Sequence, residues 1–161
     1  MTAQRPSDSR KRNGNRRVLR EFSVPSEPGN ERMAMETVAQ AISDLDIGSE
    51  NLERLKTAVA EATMNAMEHG NYYRAELPVL IEVSASDTQL SVKITDEGSG
   101  PPVFHAETPD LQAKLKGMQS PRGWGLFLIK NMVDDMDVTG DEHHHTVELI
   151  LHLDGQAEGG K

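Results

Sequence analysis

Between Pro78 and Ile94 apolar residues take every second position in two runs, Val79, Ile81, Val83 and Ala85, then Leu90, Val92 and Ile94 after the polar stretch Asp87-Thr88-Gln89. Side chains alternate between the two faces of a strand, so each run gives a strand with one apolar face, and the short polar break between them reads as a hairpin turn. That face needs a cover, and the flanking sequence offers it at helical spacing. Ala34, Val38, Ala41, Ile42 and Leu45 fall on one stripe of a helix from about Asn30 to Leu45, stopped by Asp46 to Gly48. Leu52, Leu55, Val59, Ala62 and Ala66 recur at three- and four-residue spacing up to Gly70, with Ser49 expected to cap this second helix and Glu50 in its positive first turn.

Further elements follow from the same two periods. Val18, Phe22 and Val24 are expected on one side of a first strand, ended by Pro25, Pro28 and Gly29. A third helix begins near Trp124, with Leu126, Ile129 and Val133 on one face and Asp134-Asp135 at its end. Short strands are expected near 136–139 and over 146–153, where Val147, Leu149, Leu151 and Leu153 alternate. The order β-α-α-β-β-loop-α-β-β predicts an α+β fold, a two-layer α/β sandwich whose mainly antiparallel sheet carries helices on one face. The stretch from Gly98 to Gly123 is rich in Gly, Pro, Ser and Lys and too long for an ordinary connection, which suggests a lid or binding loop.

A chain of 161 residues suits one folded unit. We assign residues 17–153 to the domain, 1–16 to a disordered basic tail and 154–161 to a flexible C-terminal tail. The net charge of -9 is uneven, since seven of the 17 basic residues lie in the first 20 positions beside one acid, Asp8. An acidic body argues against wrapping a nucleic-acid backbone. No apolar run is long enough to span a membrane and no signal-like segment opens the chain, so a cytoplasmic location is expected. With no cysteine, any chemistry falls to carboxylates, histidines or a bound ion.

Three polar patches interrupt this scaffold. In Glu61-Ala-Thr-Met-Asn65-Ala-Met-Glu68-His69-Gly70, Glu61 and Asn65 lie one turn apart, away from the apolar stripe. A carboxylate and an amide oxygen side by side suit Mg²⁺, which keeps most of its waters and needs few protein ligands beside substrate phosphates. In Asp96-Glu97-Gly98-Ser99-Gly100, at a strand end, the carboxylate can accept from a purine amine while the glycines let backbone approach a flat base. In Arg122-Gly123-Trp124-Gly125-Leu126-Phe127 a Gly-X-Gly pair runs into a helix, whose free N–H groups and dipole favour phosphate. Each patch alone also fits a polar helix face, an ordinary turn or a flexible loop.

Together, and in this order, the patches resemble the N box and the two glycine boxes of the GHKL ATPase superfamily, named for gyrase, the heat-shock chaperone, histidine kinases and the mismatch-repair ATPase. The pattern Glu-Ala-x-x-Asn-Ala-x-x-His-Gly, Asp-x-Gly-x-Gly, Gly-x-Gly-Leu is most similar to the anti-sigma-factor serine kinase branch, over roughly residues 17–153. The resemblance implies a Bergerat-type fold that binds ATP and Mg²⁺. It places Glu61 as the catalytic carboxylate, Asn65 as the magnesium ligand and Asp96 as the adenine-recognition residue. Gly98 and Gly100 fall beside the base, and Gly123, Gly125 and Leu126 at the phosphates, with Arg122 as a basic lid residue near the terminal phosphate. His69 matches a motif position but is given no catalytic role.

The implied activity is a protein serine/threonine kinase that phosphorylates a STAS-domain anti-anti-sigma factor and, as an anti-sigma factor, holds a sigma factor or another regulatory protein. Homodimers are typical of the branch. The alternative is a nucleotide-dependent binding regulator without kinase activity. A histidine-kinase catalytic domain is disfavoured, because the 48 residues before Ser49 hold one strand and one helix rather than a dimerising hairpin. His143-His144-His145 departs from the family pattern. Successive strand residues point to opposite faces, so a solvated turn is expected there in place of a metal site.

Overall fold

The computed structural model describes residues 16–98 and 125–153, with side chains described from 128 onward in the second span. The alternating run forms the centre of a five-stranded sheet. Strands β2 (Val79–Ala85) and β3 (Gln89–Asp96) pair antiparallel, with Ile81 opposite Ile94 and Val83 opposite Val92. Strand β1 (Arg17–Val24) flanks β2, while β5 (His145–His152) flanks β3 and carries β4 (Asp135–Gly140) at the outer edge. The order is β1-β2-β3-β5-β4, and every neighbouring pair is antiparallel.

Val79, Ile81 and Val83 of β2 and Leu90, Val92 and Ile94 of β3 are at most 1% exposed. Among the described residues three helices supply the cover: α1 (Asn30–Ala41), α2 (Ser49–Asn65) and α3 (Gly125–Met132), with α1 and α3 each packed against α2. Ala34 and Val38 from α1, Leu55, Val59 and Ala62 from α2, and Ile129 from α3 join the strand residues in one core. Each large aliphatic side chain buried there contributes roughly 1.5–3 kcal/mol. The fold is the expected two-layer α+β sandwich.

Local details correct the sequence reading in three places. Helix α1 ends at Ala41, four residues short of Leu45, because Ser43 and Asp44 are weak helix formers; the amide of Leu45 turns back to the Ile42 carbonyl, and Leu45 packs on the core from a turn. The N-cap of α2 is Gly48 rather than Ser49. Its backbone sits at φ 83°, where glycine is unhindered, and no side chain caps the helix. In β1 the register slips between Val18 and Arg20, which turns Val18 to the open face, 55% exposed opposite Ser84, and lets Leu19 pack on the core instead. A bulge of one residue is enough to exchange faces.

On the sheet face away from the core Glu21, Glu82, Lys93, Glu148 and Asp137 stand side by side, one from each strand. Among the described residues no helix is long and apolar enough to cross a membrane.

Candidate functional site

Helix α2 does not stop at Asn65. It continues as a π-helical turn, Ala66–Gly70, closed by a hydrogen bond from the Asn71 amide to the Ala66 carbonyl at 2.9 Å. Single π-turns of this kind often accompany functional sites. Here the widened turn sets Gly70 directly against the end of β3, so close that a Cβ on Gly70 would land on the carboxyl group of Asp96. Only hydrogen at this position leaves Asp96 its place.

Asp96 is the last residue of β3, opposite His145, the first residue of β5. It is 7% exposed. Its Oδ1 accepts the Gly98 amide at 2.8 Å and lies 3.1 Å from Nδ1 of His145. Burial pushes the carboxyl pKa upward, because a low-dielectric setting disfavours charge. The Gly98 amide, the charge of His145, and the ring and backbone of that histidine pull it back without cancelling the rise. The result is a desolvated acceptor fixed by donors, the kind of group that recognises a donor on a flat ligand.

Gly98 has a part in this geometry. A Cβ there would come 2.8 Å from the His145 ring and 3.0 Å from Asp96 Oδ1. The bare backbone therefore makes room for both groups at once. His145 thereby departs from the expected solvated turn, while His143 and His144 keep to it: both are exposed, and their amides donate to Oδ1 of Asp141 at 2.8 Å. The first residue of β5 faces Asp96 because cross-strand pairing places it there. Among the described residues no three His, Cys, Asp or Glu side chains gather as a metal site.

Asn71 escaped the sequence reading. It is fully buried, its amide nitrogen donates to Ser26 Oγ and to the carbonyls of Leu77 and Pro78, and its oxygen accepts the Glu97 amide at 2.7 Å. The only signal was its place directly after Gly70. Tyr72 and Tyr73 follow at φ 51° and 54°, a left-handed pair that non-glycine residues adopt at a cost of about 1–3 kcal/mol each. The amide of Tyr73 donates to the Met67 carbonyl at 2.7 Å, which holds the turn wound.

Glu61 and Asn65 both lie on α2 and are half-buried, with Asn65 the residue immediately before the π-turn. Between them Thr63 is fully buried, and its hydroxyl has no hydrogen-bond partner among the described residues. His69 is exposed, with Nε2 3.9 Å from Glu68 Oε1. Gly125 opens α3 and Leu126 follows it in the first turn. Gly100, Arg122 and Gly123 lie outside the described residues, as do the expected lid and both tails. The described part of the site thus gathers Gly70, Asp96, Gly98 and His145 at one end of β3, with Asn65 and Glu61 on the helix that leads into the π-turn.

Comparison with known proteins gives this arrangement a context. The anti-sigma F factor of Bacillus subtilis (strain 168) is 35% identical to the chain over 135 residues, 83% of this chain and 90% of that protein. The anti-sigma F factor of Bacillus thuringiensis (strain Al Hakam) is 35% identical over 136 residues, 83% of this chain and 87% of that protein. Two solved structures share the fold. The RsbU and RsbW domains of Rv1364c from Mycobacterium tuberculosis match 83% of this chain with a TM-score of 0.59 at 14% identity; this chain spans 32% of that one. A chain of the SiaB-SiaC complex from Pseudomonas aeruginosa matches 91% of this chain and 95% of its own length, with a TM-score of 0.56 at 13% identity. The model of the histidine kinase-like ATPase domain matches residues 24–151, so an ATPase domain that implies nucleotide binding covers nearly the whole described fold, and the chain belongs to that family.

Proposed function

We propose that the chain is an ATP-dependent serine/threonine protein kinase that phosphorylates a STAS-type anti-anti-sigma protein and that also acts as an anti-sigma factor. The observation that carries this reading is the buried carboxylate of Asp96, held as an acceptor between Gly70, Gly98 and His145 in a chain 35% identical to anti-sigma F factors over most of their length. A carboxylate so placed accepts from the exocyclic amine of adenine and faces the carbonyl of guanine unfavourably.

The residues present fit a magnesium nucleotide. Glu61 and Asn65, oxygen donors one turn apart on α2, suit a cation that takes one or two protein ligands and the rest from phosphate and water. ATP supplies the transferable γ-phosphoryl group, and Mg²⁺ neutralises its charge. In this reading Asn65 would hold the metal, Gly98 and Gly100 would flank the base, and Gly123, Gly125 and Leu126 would offer backbone N–H groups to phosphate. Arg122 would serve as the basic residue near the terminal phosphate, and Glu61 would take the proton from the attacking hydroxyl. The partners are a STAS-domain substrate and a sigma factor or other regulatory protein, the state is a homodimer, and the location is cytoplasmic.

The test has two arms. Titration calorimetry with Mg-ATP and Mg-GTP reads the base preference, and Asp96→Asn should weaken ATP binding by at least about tenfold. Radiolabelled transfer to a purified STAS-type protein reads the kinase step. Binding without transfer to any candidate would replace the kinase with a nucleotide-dependent binding regulator, and no adenine-nucleotide binding would remove the reading altogether.

A further inference from the structure

The roles above leave His145 without a task, although it is the only one of the three consecutive histidines turned into the site. Its side chain is 16% exposed against 50% for His144, and its ring packs where a Cβ on Gly98 would otherwise stand. Its Nδ1 faces Oδ1 of Asp96 at 3.1 Å, across the β3–β5 pair that fixes the two Cα atoms opposite each other. When Asp96 is ionised it has no proton to give, and the hydrogen in this contact then belongs to Nδ1.

From this geometry we infer that His145 is a positioning residue for Asp96, donating from Nδ1 so that the carboxylate stays an acceptor and selects adenine over guanine. The inference rests on the nucleotide reading of the site. Its physical ground is that Asp96 has two states with opposite preferences. Ionised, it accepts from an exocyclic amine; protonated, as its burial favours, it would donate to the guanine carbonyl. Nδ1–H stabilises the first state and opposes the second, while the Gly98 amide adds a second donor to the same oxygen at 2.8 Å. Gly98 acquires a second purpose, since a Cβ there would come too close to the imidazole and force it to shift.

The choice of substitution separates positioning from bulk. In His145→Asn the side-chain NH₂ takes the place of Nδ1, so the donor to Asp96 is kept although the ring is lost. In His145→Gln the amide reaches toward the Nε2 position and misses the carboxylate, and His145→Ala has no donor. With full-length protein, calorimetric titration of Mg-ATP and Mg-GTP should find His145→Asn within about threefold of wild type. His145→Gln and His145→Ala should lose about tenfold or more in ATP affinity, the scale of one hydrogen bond to a charged group, with a smaller loss for GTP, so the preference for ATP narrows. Imidazole nitrogen NMR of the free protein should show Nδ1 of His145 protonated at neutral pH, and Asp96→Asn should move the His145 signals more than those of His143 and His144. Wild-type preference retained in the Gln and Ala variants, an Asn variant as weak as the Gln variant, or a bare Nδ1 in the free protein would each overturn the inference alone. A wild-type chain that binds neither nucleotide would overturn the nucleotide reading, and this inference with it.

Discussion

The side-chain oxygen of Asn71 accepts the backbone amide of Glu97 at 2.7 Å and so ties the end of the α2 π-turn to the residue that follows Asp96. The same side chain donates to the carbonyls of Leu77 and Pro78, which lead into β2, and to Ser26, which itself donates to Leu77 at 2.6 Å. One buried amide therefore joins three segments around the site. Asn71→Ala should lower unfolding stability by about 3 kcal/mol, since each buried group left unpaired costs roughly 1–3 kcal/mol. Urea denaturation checks this, and a loss below about 1 kcal/mol would show that water replaces the amide without penalty.

The open sheet face sets like charges against each other. Glu21 is directly opposite Glu82, and Glu148 opposite Asp137, with Lys93 between the two pairs. Cross-strand neighbours of like sign are destabilising, and opposite signs are worth roughly 0.2–1 kcal/mol. Glu21→Lys, on an exposed site of the edge strand β1, should therefore raise the melting temperature at low salt. The gain should shrink in about 1 M salt, where charges are screened beyond a few ångströms. An equal gain at both salt concentrations would point to strand propensity rather than charge.

Sequence and structure agree where one period dominates, as in β2 and β3, whose alternation alone fixed which residues meet the helices. They part where the answer depends on a single backbone angle or a distant partner. The bulge at Leu19 exchanges the faces of Val18 and Leu19 without changing composition, and Gly48 displaces Ser49 as the cap through a positive φ that no pattern announces. Asp96 and Gly98 were legible as a strand end with a turn. His145 was not, because its meaning comes from facing Asp96 across a strand pair some fifty residues apart in sequence. Asn71 was hidden for the same reason: its four partners are spread from Ser26 to Glu97.

The β4–β5 turn carries a pH dependence of definite sign. Asp141 Oδ1 accepts the amides of His143 and His144, and these two hydrogen bonds lower its pKa below the ordinary value. A depressed carboxyl stabilises the fold above its unfolded pKa of about 3.9, and that contribution disappears as pH falls through the lower folded value. Asp141→Ala should therefore melt below wild type near neutrality, with a gap that narrows as pH drops below about 4. Melting curves at several pH values check this, and a constant gap would assign the effect to turn propensity instead of charge.

Under the proposed function Glu61 carries the proton transfer that a kinase needs and a binding module does not. It stands one helical turn before Asn65 on α2, half-buried, on a helix anchored to the core by Leu55, Val59 and Ala62. A rigid support matters because phosphoryl transfer depends on alignment and charge neutralisation more than on covalent help from the protein. Under the proposed roles, Glu61→Gln keeps size and polarity but takes up no proton, so Mg-ATP affinity should stay within a few-fold of wild type. Transfer to a STAS-type protein should fall by about a hundredfold or more, the usual scale for a lost general base. Asn65→Ala should do the reverse, weakening magnesium-dependent binding first and transfer only in consequence. Calorimetry and single-turnover transfer, run on both variants, resolve the two roles. Equal transfer by wild type and Glu61→Gln would leave the carboxylate without its assigned proton, and the hydroxyl would then have to lose that proton to the phosphate itself.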